Sequence, residues 1–168
     1  MTRMCARSAF DPRMADVALL DRTYDFIMRR LVADGRAPHY TEIAAGLGLV
    51  PADGLRALRE LMAVGLPTWL HPDTDLIASF PPFNNLPTQY RLGVGGEWKW
   101  FAQCGLEALA ACWAFPGRSV EIKAPCLDCG QPIDVAVRDG RIERAAPATI
   151  RFYVSVPVRE WRANIVHT

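Results

Sequence analysis

The 168-residue sequence has almost no net charge, because nineteen Lys and Arg stand against eighteen Asp and Glu and leave +1. So even a balance excludes a global pull toward nucleic acid or anionic membrane and leaves only local basic patches to weigh. No apolar run approaches the roughly 20 residues of a membrane span, and the opening MTRMCARSAFDPRM holds no secretory apolar core. These absences predict a cytoplasmic protein with no membrane partner. Cysteine is odd in number: Cys5, Cys104, Cys112, Cys126 and Cys129. An odd set without an export signal argues against a disulfide framework. The thiols are then free, either buried as small apolar groups or placed for reactivity or metal binding.

What is present is ordinary globular composition, 51% hydrophobic and 22% charged, in a chain long enough to bury a sizeable core. Val17, Leu20, Tyr24, Ile27 and Leu31 recur at spacings of three and four and predict a first amphipathic helix, ended by Asp34-Gly35. Thr41 caps a short second helix that stops near Gly46 to Gly48. Pro51 opens a third, which carries Leu55, Leu58, Leu61 and Met62 and ends at Gly65. Thr68–His71 and Leu76–Ser79 flank Pro72-Asp-Thr-Asp, the pattern of a hairpin wing after three helices. The Pro- and Asn-rich stretch from Pro81 to Pro87 places a boundary between a winged-helix-like module, 1–80, and a second domain, 81–168.

The second domain reads as α+β, a mainly antiparallel sheet with a helix carrying Cys104. Tyr90–Val94 suits a strand before Gly95-Gly96, and the apolar stretch from Trp98 to Phe115 suits a helix ended by Pro116-Gly117. Three strand-like runs follow, Ser119–Lys123, Ile133–Val137 and Thr149–Val156, with Asp139-Gly140 as a hairpin turn.

Cys104 and Glu107 are three apart and would share a helix face. A soft thiolate and a carboxylic acid side by side suit a reaction in which sulfur binds a soft metal and the acid delivers a proton to carbon. The plain alternative is a buried Cys beside a solvated Glu. Cys126-Leu-Asp-Cys129-Gly is a single Cys-x-x-Cys, which fits either turn cysteines or a soft-metal or thiol-exchange pair. A tetrahedral zinc needs two more ligands, and Cys104, Cys112, His39, His71 and His167 show no second paired spacing. Trp98, Trp100, Phe101, Trp113 and Phe115 surround Cys104 in sequence as core packing, with a subset available to wall an apolar pocket. Arg29, Arg30, Arg56 and Arg59 are sparse among acids such as Asp53 and Glu60, so DNA is not the expected partner.

The order of these segments resembles the alkylmercury lyases over most of the chain. Arg36-Ala-Pro-His-Tyr-Thr-Glu-Ile-Ala-Ala through Leu61 looks like that family's helical region. Trp100-Phe-Ala-Gln-Cys104-Gly-Leu-Glu107, Gly117-Arg-Ser-Val, Ala124-Pro-Cys126-Leu-Asp-Cys129-Gly-Gln-Pro and Ala146-Pro-Ala follow its later pattern. The resemblance implies protonolysis of organomercurials, with Cys104 as the catalytic thiolate that binds mercury and Glu107 as the acid, in a position usually held by Asp. It implies no resident cofactor, excess cellular thiol as co-reactant, a small organometallic substrate and a thiol acceptor for the mercuric ion. Arg162-Ala-Asn-Ile-Val-His167 resembles the segment that carries the family's second catalytic cysteine, and Ala163 stands at that cysteine's place. The chain stops at Thr168, short of what usually follows. Cys126 corresponds to a generally structural cysteine and Cys129 is an addition. Cys129, alone or with Cys126, is the candidate for the missing thiolate. The alternatives are a non-catalytic soft-metal or organometal carrier or sensor, and a winged-helix transcriptional regulator.

Overall fold

The computed structural model describes residues 16–65, 67–153, 157, 159 and 160. Cys5, Ala163 and His167 therefore lie outside the described residues. The chain begins with helices α1 (Val17–Asp34), α2 (Tyr40–Leu47) and α3 (Pro51–Ala63). Helix α1 buries Leu20, Thr23, Ile27 and Leu31 on one stripe and ends on Gly35 in the left-handed conformation. Helix α2 starts two residues earlier than a cap at Thr41 predicts, because His39 is its N-cap. The His39 ring accepts from the Thr41 N–H, and Glu42 reaches back to the His39 N–H, closing a capping box. The Arg36 guanidinium and the His39 N–H hold the Glu42 carboxyl at about 2.

Helices α2 and α3 approach closely at Gly54, where an added Cβ would stand 2.6 Å from Ala44 Cβ and 2.8 Å from the Tyr40 carbonyl oxygen. Gly54→Ala should therefore lower stability by about 1–3 kcal/mol through overpacking, although alanine is the better helix former. A reduced urea midpoint with an unchanged slope is the expected reading.

Strands β1 (Trp69–Leu70), β2 (Ile77–Phe80), β3 (Phe83–Asn84), β4 (Tyr90–Val94) and β5 (Glu97–Ala102) follow. Then come α4 (Gly105–Ala110), a 3-10 helix (Ala111–Ala114), β6 (Val120–Pro125), β7 (Pro132–Arg138) and β8 (Arg141–Ala146). One antiparallel sheet takes all eight strands in the order β1-β2-β3-β5-β4-β6-β7-β8. The fold is α+β. The hairpin expected after the three helices is the β1–β2 pair, and β3 carries it into the larger sheet.

Two expectations change. The apolar stretch from Trp98 is a strand as far as Ala102, with alternate residues Trp100 and Ala102 buried, and only the part after Cys104 is helical. Residues 149–153 form no strand: Pro147 follows β8, and its carbonyl accepts from Ile150 N–H at 3.2 Å in a turn. Residues 154–156 lie outside the described residues.

The helices are fastened to the sheet by specific polar bonds as well as by a shared apolar core that runs from Leu20 to Val137. The Trp100 indole N–H donates to the Leu31 carbonyl at 2.8 Å, which also accepts the Gly35 N–H at the helix end, and reaches the Val32 carbonyl at 3.2 Å. Asn85 Oδ1 accepts from Ala37 N–H at 2.8 Å, while its amide donates to Ile77 O at 2.9 Å. Arg29, Arg30, Arg56 and Arg59 all face acids, at 2.7 Å to Asp25, 3.0 Å to Asp34, 3.1 Å to Asp53 and 2.7 Å to Asp75 respectively. Among the described residues no helix is long and apolar enough to cross a membrane.

Candidate active site

Strand β5 delivers the chain to Cys104. Ala102 pairs with Tyr90, and Thr88 Oγ1 donates to the Ala102 carbonyl at 2.6 Å, so the segment just before the cysteine is fixed from two sides. Cys104 then turns the chain into α4 as its N-cap, with extended backbone at φ −145°, and its carbonyl accepts the first helical bond from Ala108 N–H at 3.0 Å. Glu107 is the third residue of the helix, the position from which a capping-box acid reaches back. Its carboxylate oxygen accepts from Gln103 N–H at 3.0 Å, one residue before the cap.

The sequence spacing thus brings thiol and carboxyl together through a helix start rather than along a helix face. Glu107 is only 7% exposed. Burial raises its carboxyl to about 7 against the opposing bond from Gln103 N–H, so near neutral pH much of it is the neutral acid. The half-buried Cys104 thiol is pushed up, first by burial. The Glu107 backbone N–H opposes this, and the Glu107 charge adds to the rise. Burial and the Cys104 charge likewise keep the neighbouring Tyr90 phenol protonated.

Cys104 opens into a cavity of about 840 Å³, ample for a small organic group. Its walls are mostly apolar, among them Leu109, Ile122, Ile133, Val135 and Ile150. The aromatic side chains in it are Tyr90, Phe152 and Tyr153, not the cluster expected from sequence. Trp100 and Phe115 are buried in the core, edge-to-face at 5.0 Å, and Trp113 is 70% exposed. Trp98 is flanked by Lys123 and Arg91 at 4.5 and 5.6 Å from the ring centre. Phe152 packs on Gly105, beside the cysteine. Neither Tyr90 nor Phe152 had a signal in the sequence, because only the sheet order and the return of the chain after β8 bring them to Cys104.

Cys126 lines the same cavity, from the loop that joins β6 to β7. Cys129 is exposed in that loop, and Cys112 is buried. The four described cysteines are free, and among the described residues no group of three His, Cys, Asp or Glu can hold a metal ion. A closed tetrahedral zinc site is therefore not assembled there.

Residues 83–168 match the family described as MerB, alkylmercury lyase. A solved structure described as the mercury-bound form of MerB2 shares the fold at a TM-score of 0.56 and 21% identity, over 78% of this chain and 68% of that one. No curated protein matches the chain.

Proposed function

Because the chain belongs to the alkylmercury lyase family, we propose that it cleaves carbon–mercury bonds of organomercurials by protonolysis at Cys104 and Glu107. The observation that carries this reading is a buried carboxyl held near pH 7 three residues from a half-buried thiol at an apolar cavity. A carboxyl at its ordinary pKa would be an anion and a poor proton donor, whereas one near the working pH is suited to general acid catalysis.

The organomercurial arrives as its adduct with a small thiol. Cys104 sulfur forms a bond to mercury and the small thiol leaves, carrying the Cys104 proton. The neutral Glu107 then protonates the carbon as the carbon–mercury bond breaks. A second small thiol binds the mercury through sulfur and returns its proton to the Glu107 carboxylate. A third small thiol then replaces Cys104 on mercury and passes its proton to the Cys104 thiolate, so hydrocarbon and a mercuric bis-thiolate leave with no change of oxidation state. Soft sulfur on soft mercury supplies the electron density that makes the carbon susceptible to acid. The mostly apolar cavity walls suit the organic group of the substrate, and the burial of Glu107 keeps its carboxyl out of water.

A second reading, capture of the organomercurial without cleavage, follows from Ala163, since the chain offers no cysteine at that position. Headspace analysis of the chain with an arylmercury compound in excess small thiol separates the two. Hydrocarbon released over many turnovers is the expected result. Mercury bound stoichiometrically with no hydrocarbon would leave only the binding reading.

A further inference from the structure

The loop Cys126–Gln131 is closed on itself by two backbone bonds, Cys126 N–H to Gln131 O at 2.8 Å and Gly130 N–H to Cys126 O at 2.9 Å. Gly130 makes the closure with φ at 72°, a conformation in which a side chain would be strained. The closure turns the chain back between Cys126 and Cys129, so that both thiols belong to one tight loop. One thiol of the pair thus faces the cavity that contains Cys104, and the other faces solvent.

We propose that Cys126 and Cys129 form a mercury-acceptor pair, which takes the mercuric ion from Cys104 as a loop-bound bis-thiolate and presents it to external thiols. This rests on reading the cavity as an organomercurial site. Mercuric ion is satisfied by two thiolates, so the pair suffices where zinc would require four ligands. In the first exchange Cys126 sulfur forms a bond to mercury and the Cys104–mercury bond breaks, with the Cys126 proton passing to the Cys104 thiolate. In the second, Cys129 sulfur replaces the remaining small thiol, which leaves with the Cys129 proton. Mercury stays divalent throughout. Two sulfurs on one closed loop act at a high effective concentration against separate small thiols, which favours transfer into the loop. Exposure of Cys129 gives a solvent thiol its point of attack when the ion departs.

The test uses the full chain carrying Cys5→Ser and Cys104→Ser, so that the loop pair and buried Cys112 are the remaining thiols. It is mixed with mercuric chloride in excess small monothiol, desalted, and assayed for bound mercury. Retention of a stoichiometric amount is expected, falling by at least about tenfold when either Cys126→Ser or Cys129→Ser is added, as loss of chelation requires. Equal retention after either addition, or no retention in the parent variant, would overturn the proposal. Circular dichroism of each variant confirms folding. Because no organomercurial is used, the result is independent of whether the wild type releases hydrocarbon.

Discussion

Cys104→Ser is expected to abolish hydrocarbon release, by on the order of 10⁴-fold or more, the scale seen when one member of a concerted catalytic unit is removed. Serine nearly preserves the volume of this half-buried N-cap side chain and leaves the first helical bond, from Ala108 N–H to the residue 104 carbonyl, in place. Serine is also a preferred N-cap residue, so thermal stability should hold or rise slightly. A hard alkoxyl oxygen does not compete with small thiols for mercury, and the reaction therefore fails at its first bond. Loss of turnover with an unchanged melting temperature is the expected pair of readings. Retained turnover would sink the assignment of Cys104.

Glu107→Gln is expected to slow hydrocarbon release by about 10²–10⁴-fold, the usual contribution of a positioned general acid. The wild type should lose activity as pH rises through about 7, because the proton donor is then ionised, and the residual activity of the variant should lack that limb. The same substitution should stabilise the fold at alkaline pH. The carboxyl titrates at about 7 when folded, against an ordinary value of 4.5. The native state therefore holds a proton that the unfolded chain releases between those values. That contribution is complete below 4.5 and is lost as pH rises through 7. Its full size is on the order of 3 kcal/mol. Glutamine has no charge to bury, and its amide oxygen still accepts from Gln103 N–H. Unfolding at pH 8 should show the Glu107→Gln variant more stable than wild type, and at pH 4 the two should converge. A variant less stable at both pH values would contradict the burial penalty assigned to Glu107.

Much of this site was legible in the sequence. The Cys104–Glu107 spacing and the Cys-x-x-Cys were visible as residue patterns, and the three helices followed from apolar periodicity and their stop signals. The strand ending at Ala102 was not, because Trp98–Ala102 is apolar enough to read as the beginning of the helix that follows; its alternation emerges only when Trp100 and Ala102 are seen buried. The cavity was also invisible. Strands β4 and β5 are consecutive in the chain, but β6 joins the sheet on the far side of β4. That crossing places the β6–β7 loop, and with it Cys126, on the cavity that Cys104 also lines. No local pattern encodes such a neighbourhood. The aromatic residues near Cys104 in sequence went instead to the core and to solvent: Trp98 and Trp100 lie on a strand, and Trp113 and Phe115 on and just after a 3-10 helix.

The bond from the Trp100 indole to the end of α1, and the bonds of Asn85 to Ala37 and Ile77, make the join between the helices and the thiol-bearing half a seam rather than a hinge. A hinged head can be exchanged or inherited separately, whereas a seam must be kept or remade as a whole. Cutting after Phe80 would leave Asn85 and the Trp100 N–H without their partners and strip β2 from β3, exposing an unpaired sheet edge. A change at the end of α1 is thus transmitted to the strand that leads to Cys104.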